Sequence, residues 1–239
     1  MLKRKIYQTL LDWKNTKHNE CLLIKGARQV GKSFIIREFG RKNYQSFIEL
    51  NFYQHPEYIS IFDGDLTPDE IYKRISLQVL GVNFIEGETL IFLDEIQHCP
   101  NARTAIKFLA QDNRYDVISS GSLLGLHYKE IVSIPVGYEK QIDMHSLDFE
   151  EFLWAYGYDD VAIKNLKEYF FTKEKIPHAI HDKFQQIIRE YLVVGGMPDV
   201  VNVFFETQNF QAVHQKQIDL LREYEEDIKK YAKTTDRQK

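Results

Sequence analysis

Eight consecutive residues, Gly26-Ala27-Arg28-Gln29-Val30-Gly31-Lys32-Ser33, have the types and spacing of a phosphate-binding loop. The apolar run Cys21-Leu22-Leu23-Ile24 precedes them, and Phe34-Ile35-Ile36-Arg37-Glu38-Phe39 follows with helical apolar spacing. The loop therefore stands where a strand hands over to a helix. There its backbone N–H groups turn inward as an anion nest, and the helix adds its positive end. Gly26, Arg28, Gln29, Val30 and Gly31 would line the cradle. Lys32 would reach the β- and γ-phosphates, and the Ser33 hydroxyl would ligate Mg²⁺. Arg28 could touch phosphate or nucleotide, or form a salt bridge; the residue types leave both open.

A second stretch, Leu90-Ile91-Phe92-Leu93-Asp94-Glu95, is an apolar strand closed by two acids. In this setting Asp94 would stand behind Mg²⁺ through water. Glu95 would face the γ-phosphate and orient or deprotonate the attacking water. A phosphate loop alone serves kinases, GTPases, switches and pumps equally. The Asp-Glu ending selects ATP hydrolysis and implies an added strand between the two motif strands. The third stretch, Ser119-Ser120-Gly121-Ser122, ends the next strand, where a polar group can sense the γ-phosphate. Ser120 is the candidate and Ser122 the reserve; the alternative is a serine-rich turn capping a helix over Leu123–His127. The candidate catalytic set is Glu95, Lys32 and Ser120, with Ser33 and Asp94 at the metal.

Elements must be arranged to bring these groups together. Leu2, Ile6, Leu10 and Trp13 mark one face of a first helix. Gly40 is a C-cap candidate for the helix that starts at Ser33. Strands are predicted at Ser46–Phe52, Thr89–Leu93, Tyr115–Ser119 (ended by Ser120-Gly121-Ser122) and Lys140–Met144. Thr67-Pro68-Asp69-Glu70 opens a helix whose apolar face is Ile71, Ile75, Val79 and Leu80, with Gly81 ending it. Another helix runs from Ala102 to Gln111, with Ile106, Leu109 and Ala110 buried. The alternation predicts an α/β domain, a mostly parallel sheet with helices on both faces; the phosphate loop followed by the Asp-Glu strand makes it similar to a P-loop NTPase of the RecA/AAA-like kind.

The character changes near Ser146. Residues 1–145 are read as the ATPase domain with its N-terminal helix, and 146–239 as a helical lid or winged-helix-like region. Asp148 with Glu151 forms an N-cap pair opening Phe149–Tyr156. Helices follow at Val161–Phe171, Ile180–Val194 and Gln211–Tyr231, with Gly195-Gly196-Met197-Pro198 as a stop and turn. The last helix carries Ile218, Leu221, Tyr224, Ile228 and Tyr231 on one side, and the tail from Thr234 is polar.

Lys25–Ser33, then Leu93-Asp94-Glu95-Ile96-Gln97, Ser120-Gly121-Ser122, Leu147-Asp148-Phe149-Glu150-Glu151-Phe152 and Gly195-Gly196-Met197-Pro198 come in this order. The series resembles the prokaryotic AAA-type ATP-binding proteins. In that family an ATPase domain precedes a C-terminal region of unknown function that resembles restriction-endonuclease folds. The resemblance runs from about Lys3 to the end of the sequence and implies ATP binding and hydrolysis with Mg²⁺. It also implies a longer protein, whose nuclease-like region would follow the last helix.

One departure matters. The sequence has no arginine between Arg114 and Arg189, where hexameric AAA+ machines supply one to a neighbour's γ-phosphate. Tyr138 follows Pro135-Val136-Gly137 where many relatives have arginine. Lys129 or Lys140 could substitute, Arg189 could act in cis, or there is no finger. A finger contributes roughly 10³–10⁵ in rate, so its absence suits a slow switch and disfavours a hexameric motor. The alternative is a nucleotide-regulated module that binds DNA or a protein with negligible turnover.

The remaining features narrow the setting. With 44% hydrophobic and 28% charged residues there is ample material for a core. A net charge of −4 excludes coating nucleic acid by bulk electrostatics. Lys3, Arg4, Lys5, Lys14 and Lys17 could still form a local basic patch, or simply an exposed face. Cys21 and Cys99 fit neither a disulfide framework nor metal spacing. No signal peptide and no membrane-length run is present, so a reducing cytoplasm is expected. His178 and His181 lack a third metal ligand. Asp63-Gly64-Asp65 is too poor in carboxylates for a calcium loop.

Overall fold

A computed structural model describes residues 2–16, 19–122 and 137–236. Five segments pair as one sheet: β1 (Cys21–Gly26), β2 (Ser46–Asn51), β3 (Thr89–Asp94), β4 (Asp116–Ser122) and β5 (Glu139–Asp143). Their order is β2-β3-β4-β1-β5, and every neighbouring pair is parallel. The strand carrying Ser120 thus lies between the loop strand and the Asp-Glu strand, as predicted. Its register sets Ile24 beside Ser120 on one side and Leu93 beside Ser119 on the other.

Parallel neighbours need crossover connections. Helices α2 (Lys32–Asn43), α3 (Pro68–Gln78) and α4 (Pro100–Asp112) provide them, and α1 (Ile6–Asn15) precedes the sheet. All six residues of β3 are buried, as a central strand covered on both faces requires. Leu23, Ile48, Leu50, Ile91, Leu93, Ile71, Ile75, Ile106 and Leu109 share one core.

Three local expectations fail in this region. Gly40 does not cap α2; it sits inside the helix. A Cβ there would fall 2.3 Å from the Phe47 ring, so the glycine allows helix and sheet to approach. Leu80 lies beyond the end of α3 and is 96% exposed. Ser120-Gly121-Ser122 forms the last three residues of β4 rather than a turn after it, because β1 still pairs alongside.

Contacts divide the chain into two units, Ile6–Met144 and a helical unit of Met1–Lys5 with His145–Lys239. The sequence places residues 1–145 in one domain, whereas contacts group residues 1–5 with the helices. The reason is a buried clasp. Arg4 Nε donates to Glu151 at 3.2 Å and its Nη2 to the His145 carbonyl at 2.6 Å, while the Lys5 N–H donates to Glu151 at 2.7 Å.

The helical unit contains α5 (Phe149–Ala155), α6 (Asp160–Thr172), α7 (His178–Val194), α8 (Pro198–Thr207) and α9 (Phe210–Asp236). The expected Asp148–Glu151 capping box opens α5 with both of its bonds formed. Helix α8 is absent from the sequence reading. Met197-Pro198 looked like a stop, yet Pro198 is at the first turn of a new helix, where proline is favoured. The omission also misassigned the face of α9. Helix α9 packs on α8, burying Val213 and Leu220, while Leu221 and Ile228 stay exposed. Among the described residues no helix is long and apolar enough to cross a membrane. The helix expected at Leu123–His127, Lys17, Lys129, Pro135-Val136 and the last three residues lie outside the described residues.

Candidate functional site

The three sequence motifs meet because β1, β4 and β3 are successive neighbours and all point the same way. Their C-terminal ends therefore carry the loop, the serines and the acids to one edge of the sheet. Gly26 is pressed against β5's exit: a Cβ there would lie 2.2 Å from the Met144 carbonyl oxygen. Gln29 and Gly31 take positive φ values of 60° and 94°, which turns the chain into α2. Val30 is buried and anchors the loop, Arg28 is half-buried, and Gln29 is exposed.

Lys32 is only 6% exposed. Its ammonium folds over its own loop and donates to the carbonyls of Gly26 at 3.0 Å and Ala27 at 2.7 Å. Burial lowers its pKa, and the nearby charges of Glu95 and Asp94 oppose that shift.

Asp94 is the hub. Its Oδ1 accepts the hydroxyl of Ser33 at 2.9 Å and that of Ser120, and its Oδ2 accepts Asn51 Nδ2 at 2.8 Å. The carboxylate is 2% exposed. Burial pushes its pKa up, and the two hydroxyl bonds pull against that. Glu95, the first residue past β3, sits at φ 55°, ψ 48°. A non-glycine residue rarely occupies this left-handed region, and such outliers collect at functional sites. Its carboxylate accepts a hydrogen bond from Gln97 Nε2.

The candidate groups thus gather at the strand ends, Arg28 within the loop that joins β1 to α2. Ser120 is fully buried with its hydroxyl on Asp94, and Ser122 is buried two residues further along β4. The structure adds Asn51, Arg37, Glu49 and Gln97. Two had a visible signal: Glu49 and Asn51 are polar residues two apart on an otherwise apolar strand. Arg37 follows Ser33 by four, hence on the same face of α2.

Asp94 and the Ser33 hydroxyl beside it offer oxygen atoms, the donors that suit a hard cation such as Mg²⁺. No group of three or more His, Cys, Asp or Glu residues that could hold a metal exists among the described residues. Mg²⁺ needs none, since it is bound through one or two protein oxygens plus phosphates and water. His178 and His181 are exposed on the helical unit. Of the basic residues near the N-terminus, Lys3, Arg4 and Lys5 pair with Asp160, Glu151 and Asp148. Lys14 lies over the Tyr44 ring.

A family described as an AAA domain matches residues 18–153. The chain belongs to that family. A second family, a domain of unknown function, matches residues 185–239. No curated protein matches. Among solved structures, the Walker-type ATPase PABY2304 of Pyrococcus abyssi aligns with a TM-score of 0.54 at 15% identity, over 96% of this chain and 76% of that one. PCH-2 of C. elegans aligns at 0.47 and 10%, over 91% and 70%. The ORC1 protein of Aeropyrum pernix, in complex with DNA, aligns at 0.41 and 14%, over 63% and 46%. At such identities the Pyrococcus likeness is one of fold: a P-loop ATPase sheet followed by helices. Membership of the AAA-domain family supports ATP binding.

Proposed function

We propose that this AAA domain binds ATP with Mg²⁺ and hydrolyses it slowly, as a conformational switch for an attached or partner domain. The observation that carries the reading is the hydrogen bonding of Ser33 and Ser120, 87 residues apart in sequence, to one carboxylate oxygen of Asp94. That carboxylate lies within electrostatic reach of Lys32.

The loop N–H groups would cradle the β-phosphate. Lys32 would exchange its two carbonyl bonds for phosphate oxygens, a favourable exchange because an anion compensates a buried cation better than a peptide dipole does. Ser33 and Asp94 would hold Mg²⁺, which neutralises charge on the β- and γ-oxygens. Glu95 would orient the attacking water and take its proton, with Gln97 fixing the carboxylate. Ser120 would act through Asp94, keeping Oδ1 aimed at the metal side. The slow rate is inferred from the lack of arginine between Arg114 and Arg189. Arg189 itself is exposed on α7 of the helical unit.

Steady-state phosphate release at several protein concentrations tests this. The expected result is slow turnover whose rate per molecule does not depend on concentration. Glu95→Gln should retain ATP binding and lose about 10²–10⁴ in turnover, the range for a positioned general base. Equal release by variant and wild type would remove Glu95 from the mechanism. A DNA partner predicts salt-dependent binding of duplex; no binding at low salt leaves a protein partner.

A further inference from the structure

Asp94 is approached by a cation as well as by neutral donors. Helix α2 sets Ser33 and Arg37 four residues apart on one face, so both converge on β3's end. Strand β2 alternates, with Ile48 and Leu50 in the core and Glu49 and Asn51 on the opposite face of the strand. Asn51 is in register with Asp94 and Glu49 with Phe92. Arg37 is gripped by Glu49: Nε donates to both carboxylate oxygens at 2.9 Å, and Nη2 donates to Oε1 at 2.6 Å. The same Nη2 stands 3.8 Å from Asp94 Oδ2, just short of a hydrogen bond. The pair is partly open to solvent and lines a groove of about 810 Å³ with Phe34, Arg41, His55 and Tyr58.

We propose that Glu49 is a positioning residue of the metal site, which keeps Arg37 off Asp94. The inference rests on the reading of Asp94 as the acid behind Mg²⁺. A guanidinium about 1 Å closer would form a charge-assisted bond to Oδ2 and neutralise the carboxylate that must attract the cation. Glu49 prevents this by holding the Nε–Nη2 edge of the guanidinium. Asn51, a neutral donor, then satisfies Oδ2 without cancelling its charge. The cation is therefore held near enough to order the site and too far away to replace the metal.

The test is the Mg²⁺ concentration at half-maximal binding of a fluorescent, non-hydrolysable ATP analogue, read by anisotropy on the full chain. Glu49→Gln should raise that midpoint about tenfold, the lower range for loss of a residue supporting a metal ligand. Binding of the analogue in excess chelator should stay at the wild-type level. Arg37→Gln should leave the midpoint at or below wild type, and the double variant should follow Arg37→Gln. A wild-type midpoint in Glu49→Gln, or a double variant as weak as Glu49→Gln alone, overturns the inference. So does a raised midpoint in Arg37→Gln, which carries the test if Glu49→Gln does not fold. A wild-type chain that binds the analogue with no dependence on Mg²⁺ overturns instead the metal reading of Asp94, and the inference with it.

Discussion

Arg4 and Lys32, two of the buried cations among the described residues, are treated in opposite ways. Arg4 of the helical unit meets a full carboxylate, Glu151, and the His145 carbonyl. Lys32 of the α/β unit donates its hydrogen bonds to the carbonyls of Gly26 and Ala27 and has carboxylates only at longer range, and burial lowers its pKa. A buried charge with a formal partner is part of the structure; one resting on dipoles is open to a better partner. The first cation fastens the N-terminal residues to the helices. The second, on the proposed reading, is the one the phosphates of ATP would meet.

The largest effects should come from removing these cations. Arg4→Met leaves Glu151 buried and unpaired, and breaking such a pair costs about 3–5 kcal/mol. Hydrogen exchange should show the loss in the amides of α5–α9. Lys32→Met should do the reverse in its own unit. ATP affinity should fall by about 2–5 kcal/mol, the range for truncating one partner of a buried charge pair, while the melting temperature holds or rises because a costly buried ammonium is gone. If Lys32→Met melts as low as Arg4→Met, the two cations are alike and the comparison fails.

The contrast also explains what was legible in the sequence. Gly26, Lys32, Ser33, Asp94 and Glu95 could be read because phosphate and metal chemistry fixes residue types at set spacings, and the strand order carried them together. Arg37, Glu49 and Gln97 showed at most as polar residues at suggestive spacings, not as parts of a site. Their meaning depends on β2–β3 register and on a turn at Glu95, neither of which leaves a motif. In the helical unit the capping box was legible for the same reason as the loop: a fixed spacing serving a fixed set of backbone groups. Helix α8 and the buried face of α9 were not, because two helices decide each other's faces and one had been read as a turn.

A smaller effect tests packing within the α/β unit. Gly40→Ala places a methyl against the Phe47 ring and near Leu90. Overpacking of this kind costs about 1–3 kcal/mol, which should outweigh the higher helix propensity of alanine and appear as a lower urea midpoint. A gain in stability would mean that the approach of α2 to the sheet has slack.

The smallest expected effect separates the charged from the purely hydrogen-bonding part of the Arg4 region. Asp148 caps α5 by accepting the Glu151 N–H at 2.9 Å, and it also pairs with Lys5. Asp148→Ala should cost about 1 kcal/mol, as loss of an N-cap does, whereas Asp148→Asn keeps the cap and should cost less. Burial alone would push the Asp148 carboxyl up, but the Lys5 ammonium and the Glu151 N–H outweigh it and hold it below the usual range. Because the folded form holds its proton more weakly than the unfolded chain, this contribution is complete above about pH 4, the ordinary value for Asp. It is lost as the pH falls through the lower folded value. The stability gap between wild type and Asp148→Ala should therefore stay constant from neutral pH to mild acid and close only below that point. A gap that closes near pH 6 would mean that a histidine, not Asp148, sets the acid sensitivity of the helical unit.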